Sequence, residues 1–137
     1  MSDPAKILVV DDDPDIIKAT KKVLEARSYQ VITALNGEEC LERIREERPD
    51  LIIMDLLMPK LDGFGVCQEL RENSEYAEYS DIPILIATAV REEASRRRYE
   101  LETGIDLNVD DYVEKPTRPL DLLHRVEKLL SKSKPGE

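Results

Sequence analysis

Four strand-like stretches of this chain each run into a reactive polar residue: Ile7–Val10 into Asp11, Asp12 and Asp13, Leu51–Met54 into Asp55, Ile84–Ala87 into Thr88, and Asp110–Glu114 into Lys115. Carboxylates gathered within a few ångströms repel by roughly 4 kcal/mol per pair at an effective dielectric near 20, so such a cluster needs a cation or a proton. An all-oxygen donor set with few protein ligands fits Mg²⁺, or Mn²⁺ as a substitute, far better than zinc. A carboxylate can also attack phosphorus to give an aspartyl phosphate, provided that metal, ammonium and hydroxyl or amide donors neutralise the oxygens of the transferring group. Asp55, at the end of an apolar run and ahead of the turn-forming Met58-Pro59-Lys60-Leu61-Asp62-Gly63, suits the nucleophile; Lys115 supplies an ammonium and Thr88 a hydroxyl. Taken singly, each has an ordinary explanation: Asp11 to Asp13 can cap a helix, Thr is common in strands and Lys in loops.

The elements that must position these residues are five short strands alternating with helices. The strands are expected at Ile7–Val10, Gln30–Ala34, Leu51–Met54, Ile84–Ala87 and Tyr112–Glu114. Ile16, Thr20, Val23 and Leu24 fall on one face of a first helix begun by Pro14 and Asp15; Cys40, Leu41 and Ile44 mark a second that ends before Pro49; Phe64, Cys67 and Leu70 mark a third. Leu122, Leu123, Val126, Leu129 and Leu130 repeat at helical spacing in the last, while a fourth, Glu92–Thr103, offers only Ala94, Tyr99 and Leu101 to a core and should pack loosely. The first, third and fourth strands are continuously apolar, as strands buried on both faces are, whereas the second and fifth mix polar and apolar positions as edges do. The expected fold is α/β, a doubly wound five-stranded parallel sheet of flavodoxin-like order 2-1-3-4-5. That order reverses between the first and third strands and brings Asp11, Asp12 and Asp55 to the switch point.

One domain, residues 1–130, accommodates all of this, with 131–137 (Ser-Lys-Ser-Lys-Pro-Gly-Glu) expected as a disordered tail or linker. A net charge of −10 opposes direct binding to nucleic acid or anionic membrane and favours basic protein surfaces; the cluster Arg96 to Arg98 is bracketed by glutamates. The N-terminal apolar run is too short for a signal peptide or a membrane span, so a cytoplasmic protein is expected. Cys40 and Cys67, without CxxC spacing, are expected to be buried reduced thiols.

With those residues in view, the chain resembles the chemotaxis-regulator-like receiver domain of two-component response regulators over about residues 5–130. The resemblance rests on Asp11-Asp12, on Asp55 within MDLLMPKLDG, on Thr88 followed by the small Ala89, and on Lys115 within DYVEKP, four stretches in order and each at a strand end. It implies that Asp55 is the phosphoacceptor and that Mg²⁺ is held by Asp12, Asp55 and the backbone carbonyl of Leu57, with Asp11 assisting. It also implies a donor phosphohistidine on a sensor histidine kinase or histidine phosphotransfer protein. The only histidine of the chain, His124, lies in the last helix, so the donor must come from a partner. Phosphorylation would draw in the Thr88 hydroxyl and turn Tyr112 inward, changing the face of helix four, strand five and helix five that a downstream protein, an output domain or a second copy would meet. The Lys115-Pro116 bond is expected to be cis by the same resemblance.

The chain departs from the family pattern in two intervals. The stretch from Thr88 to Lys115 is a few residues longer, with the excess in Gly104–Asp110, and Glu72 to Asp81 is also long. Leu57 and Val90, at the positions flanking the phosphoryl pocket, are apolar and orient no attacking water, so a long-lived aspartyl phosphate is expected. Two other functions compete. One is a haloacid-dehalogenase-like phosphatase with Asp11 as nucleophile, but that pattern needs an acidic pair after the lysine, where Asp121 and Glu127 follow singly. The other is a receiver-like scaffold that works without phosphorylation. A calcium loop starting at Asp11 fails because Ile16 and Lys22 stand where Gly and Glu are required.

Overall fold

The three continuously apolar runs become strands, and each stops where its first charged or hydroxyl-bearing residue meets the edge of the core. The computed structural model describes residues 4–89, 97–98, 100–101, 109–115 and 117–132. The strands are β1 (Lys6–Val10), β2 (Gln30–Ala34), β3 (Leu51–Met54), β4 (Ile84–Thr88) and β5 (Asp111–Glu114), and all pairings are parallel in the order β2-β1-β3-β4-β5. The two mixed-polarity runs are therefore the edges, as expected. The register sets Lys6 against Gln30, Ile7 against Leu51, Ile52 against Ile84 and Leu85 against Asp111.

The helices are α1 (Pro14–Glu25), α2 (Gly37–Glu47), α3 (Gly63–Glu72) and, after the helical residues 97–98 and 100–101 that mark α4, α5 (Pro119–Lys132). Alternate strand residues face opposite ways, so one continuous apolar run serves two cores. Ile7, Val9, Leu51, Ile53 and Leu85 pack with Ile17 and Leu24 of α1 and with Leu122, Leu123, Val126, Leu129 and Leu130 of α5. Leu8, Val10, Ile52, Met54, Ile84 and Ile86 pack with Cys40, Leu41 and Ile44 of α2 and with Phe64, Val66, Cys67 and Leu70 of α3. Complete burial of each such Leu or Ile favours folding by roughly 1.5–3 kcal/mol.

The expected first-helix face needs one correction. Ile17 and Leu24 are the buried residues of α1, while Ile16, Thr20 and Val23 are half-buried. The helix begins at Pro14 as expected, Asp13 caps it with its side chain accepting from Asp15 N–H at 2.9 Å, and Ile17 packs with the sheet residues of its core. The long interval after α3 is filled by a 3-10 helix, Ser74–Tyr79, whose Tyr76 and Tyr79 enter the core beneath Arg45 of α2 and Arg48 at its C-cap, each guanidinium 5.5 Å from a ring centre. α5 continues through Ser131 to Lys132, past the last apolar anchor Leu130, so these two residues belong to the helix and not to a tail. Residues 133–137, most of the fourth helix with Ala94 and Tyr99, and Gly104–Asn108 lie outside the described residues. Arg97 and Arg98 are exposed, as is His124 on α5. Cys40 and Cys67 are free and buried, and burial pushes both thiols up, Cys67 to about 12.

Candidate functional site

The backbone ladder extends one residue past the strand ends, and this fixes the site. Asp11 N–H donates to Ala34 O at 3.2 Å, Asp55 N–H to Val10 O at 3.0 Å, and Lys115 N–H to Thr88 O at 2.8 Å. Asp11, Asp55 and Lys115 are therefore each the first residue beyond the sheet on their strands, with a main chain held by the neighbouring strand, while Thr88 is the last residue of β4. The crossover between β1 and β3 puts Asp11 and Asp55 side by side at the switch point, as the strand order requires.

Asp11 and Asp55 are buried, at 3% and 4% exposure, whereas Asp12 is exposed. One carboxylate oxygen from each of the three lies within 4.8 Å of the others. Lys115 Nζ reaches across from the end of β5 to Asp11 Oδ2 at 2.8 Å and to Asp55 Oδ2 at 3.3 Å. Partial burial depresses the Lys115 ammonium, but its hydrogen bond to Asp11 and the charges of Asp55 and Asp11 outweigh that, and its pKa is raised overall. Asp11 Oδ1 accepts from Asp13 N–H at 2.9 Å, so both Asp11 oxygens are engaged. Three carboxylates against one ammonium leave two negative charges, and Asp12 leaves one side open to solvent. The arrangement suits a hard divalent cation bound by carboxylate and carbonyl oxygens with retained water.

The other expected residues fall around this cluster. Thr88 is buried, and its hydroxyl donates to Ala89 O at 3.2 Å. Leu57, 41% exposed, lies on the loop that leaves Asp55, with its apolar side chain open to solvent. Tyr112 is half-buried against the core beneath α2 and α3, and its carbonyl accepts from Arg125 Nη1 of α5 at 3.0 Å. Val90 and Pro116 lie outside the described residues.

Two features of the site are not legible from residue types alone. Arg125 joins α5 to β5 through Asp111, at 3.0 and 2.9 Å, and through Tyr112 O, beside its pair with Asp121. Leu61, at the far end of the Asp55 loop, accepts from Gly37 N–H of α2 at 2.9 Å. An Arg four residues after an Asp on the same helix signals the first only in part. The second has a faint signal in the Asn36-Gly37 pair that opens a helix.

The chain matches the model of the response regulator receiver domain over residues 7–127 and belongs to that family. A protein named "Probable transcriptional regulator ycf27" from Porphyra purpurea is 44% identical over 128 residues, 93% of this chain and 48% of that protein. The alkaline phosphatase synthesis transcriptional regulatory protein PhoP of Bacillus subtilis is 41% identical over 128 residues, 93% of this chain and 49% of its own length. The chain thus spans about half the length of these curated relatives. Among solved structures, the signal receiver domain of a signal transduction histidine kinase from Syntrophus aciditrophicus aligns with a TM-score of 0.81 at 32% identity, covering 97% of this chain and 95% of that one. No helix among the described residues is long and apolar enough to cross a membrane.

Proposed function

We propose that this receiver domain takes a phosphoryl group from a partner phosphohistidine onto Asp55. The observation that carries this is the clustering of Asp11, Asp12 and Asp55 at the carboxyl edge of the sheet, with Lys115 paired to Asp11 and Asp55, in a chain that belongs to the receiver family. Asp55 is favoured over Asp11 as nucleophile because both Asp11 oxygens already accept, one from Asp13 N–H and one from Lys115 Nζ. In the transfer, an Asp55 oxygen forms the O–P bond as the P–N bond of the donor breaks, and the imidazole nitrogen keeps the electron pair. Lys115 and the Thr88 hydroxyl supply positive and hydrogen-bonding partners to the phosphoryl oxygens. Asp12, Asp55 and the Leu57 carbonyl would hold Mg²⁺, with Asp11 assisting, and the ion supplies charge neutralisation at the transferring group.

The added phosphoryl group brings about −1.5 to −2 charge and three strong acceptors. It draws the Thr88 hydroxyl from Ala89 O, which frees room for the Tyr112 ring and alters the surface around β5 and α5. That surface would carry the signal to a downstream protein or to an output domain of a longer chain, in line with the transcriptional regulators to which this chain is similar. The net charge of −10 keeps the receiver itself away from nucleic acid. The apolar Leu57 favours slow hydrolysis of the phosphoryl group.

Acetyl phosphate with Mg²⁺ tests this in one experiment. The expected result is one phosphoryl group, mapped to Asp55, absent with chelator and absent in Asp55→Asn, together with a changed NMR environment for the Tyr112 ring. Labelling at Asp11 would install the phosphatase reading, and no labelling with the Tyr112 ring unmoved would install the scaffold.

A further inference from the structure

The loop that leaves Asp55 is closed at its far end by a helix that contributes no group to the site. Leu61 O accepts from Gly37 N–H of α2 at 2.9 Å, and the two backbones approach so closely that a Cβ at Gly37 would stand 2.1 Å from Leu61 O and 2.7 Å from its carbonyl carbon. On its other side, the Leu61 side chain lies over the first turn of α3, where a Cβ at Gly65 would stand 2.3 Å from Leu61 Cδ1. Lys60, immediately before, has φ 68°, a left-handed conformation disfavoured for a residue with a side chain, which holds only where the surroundings over-determine it.

The α2 end of this contact is itself fixed. Asn36 is buried and caps α2 by accepting from Glu39 N–H at 2.9 Å, and Glu39 reaches back to Leu35 N–H at 3.2 Å. The helix starts one residue later, at Gly37. Near the other end of the loop, Gly63 N–H donates to Leu56 O at 2.7 Å. The segment from Asp55 to Asp62 is therefore a short bridge with both ends tied, and Leu57 is on it.

We infer that Gly37 and Leu61 form a positioning joint: the start of α2 sets where the Leu57 carbonyl and the Asp55 carboxylate stand, and so tunes the affinity of the site for Mg²⁺. The inference rests on the proposed function for the metal, but the joint itself is a property of the metal-free chain. Its signature is an asymmetry between two glycines. A methyl at Gly37 meets main-chain atoms, which cannot be trimmed, whereas a methyl at Gly65 meets the tip of a side chain, which can.

The test uses the full chain with Gly37→Ala, Gly65→Ala and each of these combined with Leu61→Ala. In the metal-free protein, amide chemical shifts and hydrogen exchange across residues 55–63 are read. With Mg²⁺, the half-saturating concentration for labelling by acetyl phosphate is read. Gly37→Ala should displace the loop amides and raise half-saturation about tenfold, the usual scale for losing a group that orients a metal ligand, and Leu61→Ala should not reverse it. Gly65→Ala should also move the loop, and here Leu61→Ala should restore parental shifts. If Gly37→Ala fails to fold, the reversal at Gly65 decides. Unmoved loop amides in Gly37→Ala with half-saturation within about twofold of the parent would overturn the joint, as would equal rescue of both glycine variants by Leu61→Ala. A parent that is not labelled overturns the proposed function instead, and the metal-free amide shifts still decide the joint.

Discussion

The two ends of the sheet use the same residue types in opposite ways. At the amino-terminal end, carboxylates close the backbone. Asp50 Oδ2 accepts from Lys6 N–H at 2.8 Å, Lys6 Nζ meets Glu47 Oε1 at 3.2 Å, and Asp110 Oδ2 accepts from Ile84 N–H at 2.8 Å. Each acid there answers one donor and is exposed to solvent. At the carboxyl end, Asp11, Asp12 and Asp55 crowd one another, Asp11 and Asp55 share the Lys115 ammonium, and these two are almost wholly out of water. That end is arranged against its own stability, as a site that awaits a cation and a phosphoryl group would be. Identical residue types thus close the backbone at one edge and form a crowded cluster at the other, and the difference lies in how closely the carboxylates stand and how far they are withdrawn from water.

Removing Lys115, the cation that Asp11 and Asp55 share, should break the contrast most violently. Lys115→Met leaves Asp11 and Asp55 buried without their shared partner, and loss of one member of a buried ion pair costs about 3 kcal/mol or more. Urea unfolding in chelator is expected to show a loss on that scale, partly recovered in Mg²⁺. A variant as stable as the parent without metal would mean that the crowding carries no energetic penalty.

At the amino-terminal end the same kind of change should be milder and functionally silent. Asp50→Ala removes the acceptor for Lys6 N–H but leaves that amide near water, so about 1 kcal/mol is expected in the same unfolding measurement. Labelling by acetyl phosphate should keep its parental rate. A drop in labelling would show that the two ends are coupled through β1 and β3, and would undo the separation drawn here.

How much of this was legible in the sequence follows from the same contrast. The strands and their order could be read because fully apolar runs mark central strands and mixed runs mark edges, and the burial of β1, β3 and β4 against the mixed pattern of β2 bears that out. Parallel strands place their last residues at one edge, so Asp11, Asp55, Thr88 and Lys115 could be gathered before any distance was known. The face of α1 could not be read as well, because Ile16 and Ile17 both fit an apolar stripe and packing against the sheet and α5 decides between them. The Gly37–Leu61 contact and the Arg125 bridge were hidden for a different reason: each depends on which backbone atoms approach which, and residue type says little about that. Asp50 and Asp110 were invisible as partners, since an exposed acid before a strand looks the same whether or not it accepts an amide.

The finest test of the contrast concerns Asp12, the exposed member of the crowded trio. Asp12→Asn removes one of three negative charges from the cluster and leaves Asp11, Asp55 and Lys115 in place. Because Asp12 is exposed, solvent screens most of the repulsion, so the gain in chelator should be only about 0.5 kcal/mol. Added salt should shrink it further, since exposed charges are largely screened beyond a Debye length of about 8–10 Å near physiological ionic strength. Magnesium should reverse the order. A ligand that binds only the folded state stabilises it by RT ln(1 + [L]/Kd), about 2.7 kcal/mol at one hundred times Kd, and a site with one carboxylate fewer has the larger Kd. Stability plotted against Mg²⁺ concentration should therefore start higher for Asp12→Asn and finish higher for the parent, so that the two curves cross. Parallel curves would mean that Asp12 adds charge to the site without taking part in holding the ion, and the three-carboxylate arrangement would then have to be redrawn around Asp11 and Asp55 alone.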